Sequence, residues 1–272
     1  CSPEYSSART ILVDPTSDGG TLSGGTSPIC FGDNTGVMTL ASYTGSIVRW
    51  EKRLDGGGWA NIANTNATYS EDPTSPGTWE YRVRVESGSC PAVYSNIVTI
   101  IVDPTSVGGT ITGGTTPICI GSGTGTMTLS GHTGDVVRWE RRLNAGGWVD
   151  IANTTTTHSE IPASAGTWEY RALVQSGVCS STYSSIRTIT VDPASDAGAL
   201  SYAAGQDEVC IGSDVDLTVT GYVGTIERYR RSIDGGSWSG TSSSSDTYTY
   251  TTDAAGTWEF QVRVQRGVCP EV

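Results

Sequence analysis

The chain is short of what chemistry, membranes or nucleic acids would draw on. Basic residues are few: 16 Lys and Arg stand against 28 Asp and Glu in 272 residues, a formal net charge of −12. That argues against phosphate backbones and anionic membrane surfaces as partners and suits a soluble surface that repels its own kind. No long apolar run exists. Ile97–Val102 is the longest, it is broken by Thr99, and it is far below the ~20 residues a spanning helix needs, so no direct membrane insertion is expected. There are only two histidines, His132 and His158, and no CxxC pair, so a zinc site fails. No segment shows a helical period, and nothing resembles a nucleophile elbow or a paired-carboxylate site. The chain is read as no enzyme, with no catalytic residue, no metal ligand and no cofactor assigned.

What is present is repetition. Residues Cys1–Ser89 and Cys90–Val178 align without a gap at a period of 89, and Cys179–Val268 repeat the pattern at 90. VDPTS, VDPTS and VDPAS begin at Val13, Val102 and Val191; GTWEY, GTWEY and GTWEF begin at Gly77, Gly166 and Gly256. A fixed long period means an array of similar units. The phase puts residues 1–13 as the last strand of a preceding repeat, then repeats at 14–102, 103–191 and 192–272, the third lacking its last strand. Two expectations follow. The chain is an excerpt of a longer polypeptide, or the leading strand completes the open third unit of another copy, as in donor-strand polymers. Against the second, donor Cys1 would duplicate Cys269.

Within a unit the period is two. Thr78–Val85 puts Trp79, Tyr81, Val83 and Val85 on one face and Glu80, Arg82 and Arg84 on the other, the pattern of a half-buried strand. Ile47–Leu54 is expected to turn Val48 and Trp50 inward and Arg49, Glu51 and Arg53 outward. DGGG at Asp55–Gly58 is a hairpin turn, where glycine supplies positive φ. A long closing strand is expected over Tyr94–Val102. About seven short strands with an aromatic on the third predict an all-β chain of three tandem immunoglobulin-like β-sandwiches arranged end to end. Trp50, Trp79, Trp139, Trp168, Tyr229 and Trp258 are the expected core aromatics. Trp59, Trp148 and Trp238, beside the hairpin, are the candidates for stacking on a glycan or other surface ligand.

Seven cysteines, Cys1, Cys30, Cys90, Cys119, Cys179, Cys210 and Cys269, recur at regular spacing and imply disulfides in an oxidising compartment. Their pairing stays open. Bridges inside each unit would be Cys30–Cys90, Cys119–Cys179 and Cys210–Cys269, leaving Cys1. A sandwich resists this, because those positions fall at opposite ends of strands about 20 Å long, and a bridge needs Cα atoms within about 7 Å. Staples across junctions would be Cys30–Cys179 and Cys119–Cys269, leaving Cys1, Cys90 and Cys210 for partners outside the chain or in another copy. Asp14-Pro15, Asp103-Pro104 and Asp192-Pro193 mark the junctions, where calcium could bind tandem sandwiches, although proline alone would stiffen the linker. Asn66-Ala67-Thr68 and Asn153-Thr154-Thr155 match the N-glycosylation pattern.

The run ICFGDNTG at Ile29–Gly36, an alternating strand, a Trp strand, GTWEYRVRV and a Ser-Cys pair before a strand ending in VDP together resemble the tandem Ig-like and PKD-like repeats of Bacteroidota cell-surface proteins. They are most similar to gliding-motility adhesin repeats of the SprB type. The resemblance covers the whole chain and is best in the first two units. It implies an extracellular, cell-surface filament or adhesin stalk whose partners are neighbouring repeats or other copies, and it offers no catalytic residue.

Overall fold

The computed structural model describes residues 1–272 as strands, turns and bends, with no helix. In the first repeat two sheets face each other. The smaller holds Thr21–Gly24, Met38–Ala41 and Thr68–Tyr69; the larger runs Ile29–Cys30, Val98–Asp103, Gly77–Glu86, Ser46–Leu54 and Ala60–Ile62, with Val93–Tyr94 also on Gly77–Glu86. The two-residue period fixes which side chains meet between them. Gly77–Glu86 buries Trp79, Tyr81, Val83 and Val85, and the smaller sheet answers with Leu22, Met38 and Leu40. Trp50 is fully buried at the centre, and its indole N–H donates to the Asn66 carbonyl at 2.9 Å. Its one polar atom is thereby satisfied, as a buried indole requires.

The second repeat copies this strand for strand. Trp139, Tyr170, Ile189 and Val191 are buried, and the Trp139 indole donates to Thr155 at 2.8 Å. In the third repeat Tyr229 replaces the tryptophan, and its hydroxyl donates to the Ser245 carbonyl at 2.9 Å. The smaller ring therefore keeps the same bond across the same core. All three units are immunoglobulin-like sandwiches, and every sheet stays within one repeat.

Three expectations need correction. Val48 does not point inward: it is 36% exposed while Ile47 is buried, and Glu51 is buried as well. A β-bulge between Ile47 and Arg49 shifts the register against Gly77–Glu86, and one extra residue flips the faces on either side. The closing strand is also split, into Val93–Tyr94 and Val98–Asp103. Between them the Ser95 hydroxyl accepts the Val83 N–H, and the Asn96 amide exchanges two hydrogen bonds with the Leu22 backbone in the other sheet. Trp258, finally, is only half-buried. The strand that covers Trp79 in the first repeat, Val98–Asp103, has no counterpart beside Trp258–Gln265, whose sheet has three strands rather than six.

By packing, the chain forms two compact units. One is Cys1–Gly108 with His132–Asp135 and Val174–Thr182; the other is Gly109–Gly131, Val136–Leu173 and Tyr183–Val272. The first unit thus takes in two turns of the second repeat. Residues 1–13 form no strand, and Ile11, Leu12 and Val13 are more than four-fifths exposed.

Candidate functional site: the disulfide staples and their clamps

Of the two pairings left open by the spacing, the structure has the one that skips between repeats. Cys30 bonds Cys179 with Cα atoms 4.9 Å apart, and Cys119 bonds Cys269 at 4.8 Å. Cys1, Cys90 and Cys210 are free.

The junction motif Val-Asp-Pro brings each pair together. Ile29–Cys30 lies parallel to the end of the closing strand, Cys30 opposite Asp103, and the Phe31 N–H donates to the Asp103 carbonyl at 2.8 Å. The Asp103 side chain faces the other partner: its carboxylate accepts the Val178 N–H at 2.9 Å. Ser106, three residues on, accepts the Ser176 N–H at 2.9 Å. One aspartate therefore touches Cys30's strand with its backbone and Cys179's turn with its side chain. The second staple repeats the arrangement, with Cys119 opposite Asp192, Val268 N–H donating to the Asp192 carboxylate at 3.2 Å, and Ser195 accepting from Arg266 at 2.9 Å.

The turn needs a glycine for a steric reason. Gly177 has φ +47°, and a Cβ there would lie 1.9 Å from the Asp103 carboxylate; Gly88 and Gly267 meet Asp14 and Asp192 in the same way. These aspartate and glycine pairs were missed in the sequence. The available signal was their recurrence, once per unit, on either side of a body whose length changes by only one residue in the third.

Asp14 also accepts from the Ser89 N–H at 2.8 Å and from its hydroxyl. Each junction offers one carboxylate, already bonded to a turn, and no group of three or more His, Cys, Asp or Glu is placed to hold a metal ion. The Asn153 amide donates to Thr157 at 2.8 Å, so it serves its own loop.

The hairpin tryptophans sit on the opposite edge of the larger sheet. Trp59 lies under Arg53 and Arg82, at 4.6 and 4.0 Å from the ring centre; Trp148 lies under Arg142 and Arg171 at 4.5 and 4.0 Å. Each such contact contributes about 0.5–2 kcal/mol. Arg82 also stacks on Tyr94 at 3.8 Å and donates to the Glu51 carboxylate at 2.8 Å. Glu51 takes a further bond from Arg49, and Glu140 is held identically by Arg138 and Arg171. Burial pushes both carboxyls up, but the arginine hydrogen bonds and charges outweigh it and hold both below the usual carboxylate value. These tryptophans are therefore parts of an arginine-stacked ladder that secures the sheet's edge. In the third repeat the acid becomes Arg230, which donates to Gln261 at 2.9 Å. Trp238 is 37% exposed there, with a single guanidinium, Arg230, 5.2 Å from its ring.

A family model described as "Domain of unknown function (DUF8696)" matches residues 18–104 and 107–193, two segments offset by the same 89 residues as the sequence repeat. No curated protein matches the chain. Among solved structures, the crystal structure of chicken CNTN1 FN1-FN3 domains is 10% identical, with 95% of this chain and 96% of that chain covered and a TM-score of 0.36.

Proposed function

We propose, from the premise that this chain belongs to the DUF8696 family, that it is a load-bearing segment of an extracellular filament or adhesin stalk. The observation that carries this reading is the overlap of the two staples. One joins cysteines at a sequence separation of 149 and the other at 150, and the stretch Cys119–Cys179 lies inside both rings. Each ring stabilises by about 5 kcal/mol on the loop-entropy account, and together they limit how far the polypeptide can be drawn out once its sandwiches open. Thiols paired in this way belong to an oxidising compartment, and a net charge of −12 keeps neighbouring fibres apart in solution. The resemblance to gliding-motility adhesin repeats supports a bacterial cell-surface location in Bacteroidota. In this reading the chain does no catalysis and needs no cofactor, and its partners are further repeats of its own kind.

Single-molecule pulling on the termini tests the proposal. Under oxidising conditions the shortest covalent route from Cys30 to Cys269 crosses both disulfides and runs back along the chain from Cys179 to Cys119. Reduction should add about 600 Å of contour length, that of some 180 extended residues. Equal extension with and without reductant would refute a load-bearing role for the staples.

A further inference from the structure

The arginine ladder on the outer face of the larger sheet breaks in the third repeat, at four positions that meet around one spot. Where the first repeat has Glu51, Arg53, Asn61 and Arg82, the third has Arg230, Ser232, Gly240 and Gln261. The second repeat keeps an acid at the Asn61 position, Asp150, which pairs with Arg138. Three of the four exchanged residues lie on Thr225–Ile233 and Ser239–Ser242. In the first repeat the matching strands, Ser46–Leu54 and Ala60–Ile62, form the side of the sheet away from the closing strand.

These exchanges uncover Trp238. Trp59 lies under Arg53 and Arg82, but their replacements do not cover the ring. Ser232 is buried, and its hydroxyl donates to the Gly236 carbonyl at 2.9 Å. Gln261 accepts from Arg230 Nε at 2.9 Å. The ion pairs of the third repeat are Arg231–Asp253 and Arg263–Glu271, so Arg230 has no carboxylate. Gly240, directly opposite Arg230, has no room for a side chain: a Cβ would lie 2.4 Å from the Tyr229 carbonyl oxygen. The spot is an unpaired guanidinium beside a bare indole on an open floor. Glu227 and Glu259, both exposed, lie three residues before Arg230 and opposite Ser232. They leave room for one anionic group and repel a run of them.

We propose that Arg230 and Trp238 bind a carboxylated sugar, one hexuronate unit of an acidic polysaccharide. The two terminal nitrogens of Arg230 hold the carboxylate through paired hydrogen bonds, the geometry a guanidinium fork favours. The C–H face of the same sugar ring packs on the indole, which is large, rigid and apolar on its faces. A hexuronate carries its carboxylate directly on the ring, so a single sugar serves both side chains. Nucleic acids and densely sulfated chains bring consecutive charges against Glu227 and Glu259 and fit poorly. The net charge of −12 does not prevent this contact, because repulsion from distant acids is screened beyond about 8 Å at physiological salt. The proposal goes beyond the load-bearing role and uses neither staple, so pulling experiments and sugar binding succeed or fail independently.

The full 272-residue chain is titrated by calorimetry with tetragalacturonate, with its methyl ester and with hexaglutamate. The ester keeps the rings and loses the charge; the peptide keeps the charge and has no ring. Tetragalacturonate should bind saturably and more weakly as salt rises, and each control should bind about tenfold weaker or less. Arg230→Glu and Trp238→Ala should each weaken tetragalacturonate binding by about tenfold or more, and Trp148→Ala should leave it unchanged. The double variant Arg230→Glu with Gln261→Arg rebuilds the pair of the first two repeats. It should lose binding while its thermal midpoint does not fall, which separates recognition from folding. No saturable binding, equal binding of the methyl ester or of hexaglutamate, or full binding by Arg230→Glu would each overturn the proposal.

Discussion

The Asp103 carboxylate accepts the backbone N–H of Val178 at 2.9 Å, and this bond sets Cys179 beside Cys30. A carboxylate accepting a backbone N–H is a charge-assisted bond contributing about 1.5–3 kcal/mol. Asp103→Asn should therefore lower stability by about 2 kcal/mol and slow formation of the Cys30–Cys179 bond on reoxidation, with Cys119–Cys269 unaffected. Thermal denaturation and timed alkylation with peptide mapping read the two effects.

The buried carboxylate of Glu140, 2% exposed between Arg138 and Arg171, should make stability fall in acid. Its folded pKa is held below the ordinary 4.5, so its contribution is full above that value and is lost as pH falls through the folded pKa. Glu140→Gln should cost about 3 kcal/mol near neutrality, because Arg171 loses its carboxylate and Arg138 keeps only Asp150. The gap from the parent should narrow as pH falls below 4.5 and through the depressed folded pKa. Urea melts at stepped pH measure this directly, and a gap independent of pH would contradict it.

The second repeat carries a local strain that its neighbours avoid. Ala145 has φ +57°, where the first and third repeats place Gly56 and Gly235 at +70° and +68°. A side chain in the left-handed region costs about 1 kcal/mol, and nothing lies within 4 Å of where a Cβ on Gly56 or Gly235 would stand. Ala145→Gly should stabilise the chain by about 1 kcal/mol, with an unchanged denaturant slope in chemical unfolding.

Chelation should do nothing. Asp14, Asp103 and Asp192 each bond a turn. A specific calcium site would raise stability by about 2.7 kcal/mol at a hundred times its Kd. Thermal midpoints with excess calcium and with EDTA are expected to coincide.

Much of the sandwich was legible because alternation is a local signal. Trp79, Tyr81, Val83 and Val85 read directly as an inward face. The bulge at Ile47 and Arg49 was not legible, since one extra residue leaves the strand's composition unchanged while moving Val48 out and Glu51 in. Nor was the fate of Trp59 and Trp148: Arg53 and Arg142 lie just across the hairpin, but the second arginine on each ring, Arg82 or Arg171, comes from Gly77–Glu86 or Gly166–Gln175, distant in sequence. Geometry narrowed the cysteine pairing without deciding it, because the spacing alone does not show that Asp103 reaches both Cys30 and the turn before Cys179.

The overlap of the two rings has a consequence for resistance to proteolysis. Cleave the backbone once anywhere between Cys30 and Cys269 and a continuous covalent route still joins the two ends, either from Cys30 to Cys179 and onward or through Cys119 to Cys269. A protease that finds one exposed loop therefore nicks the chain without severing it, and release of the distal part takes a cut in each of Cys30–Cys119, Cys119–Cys179 and Cys179–Cys269.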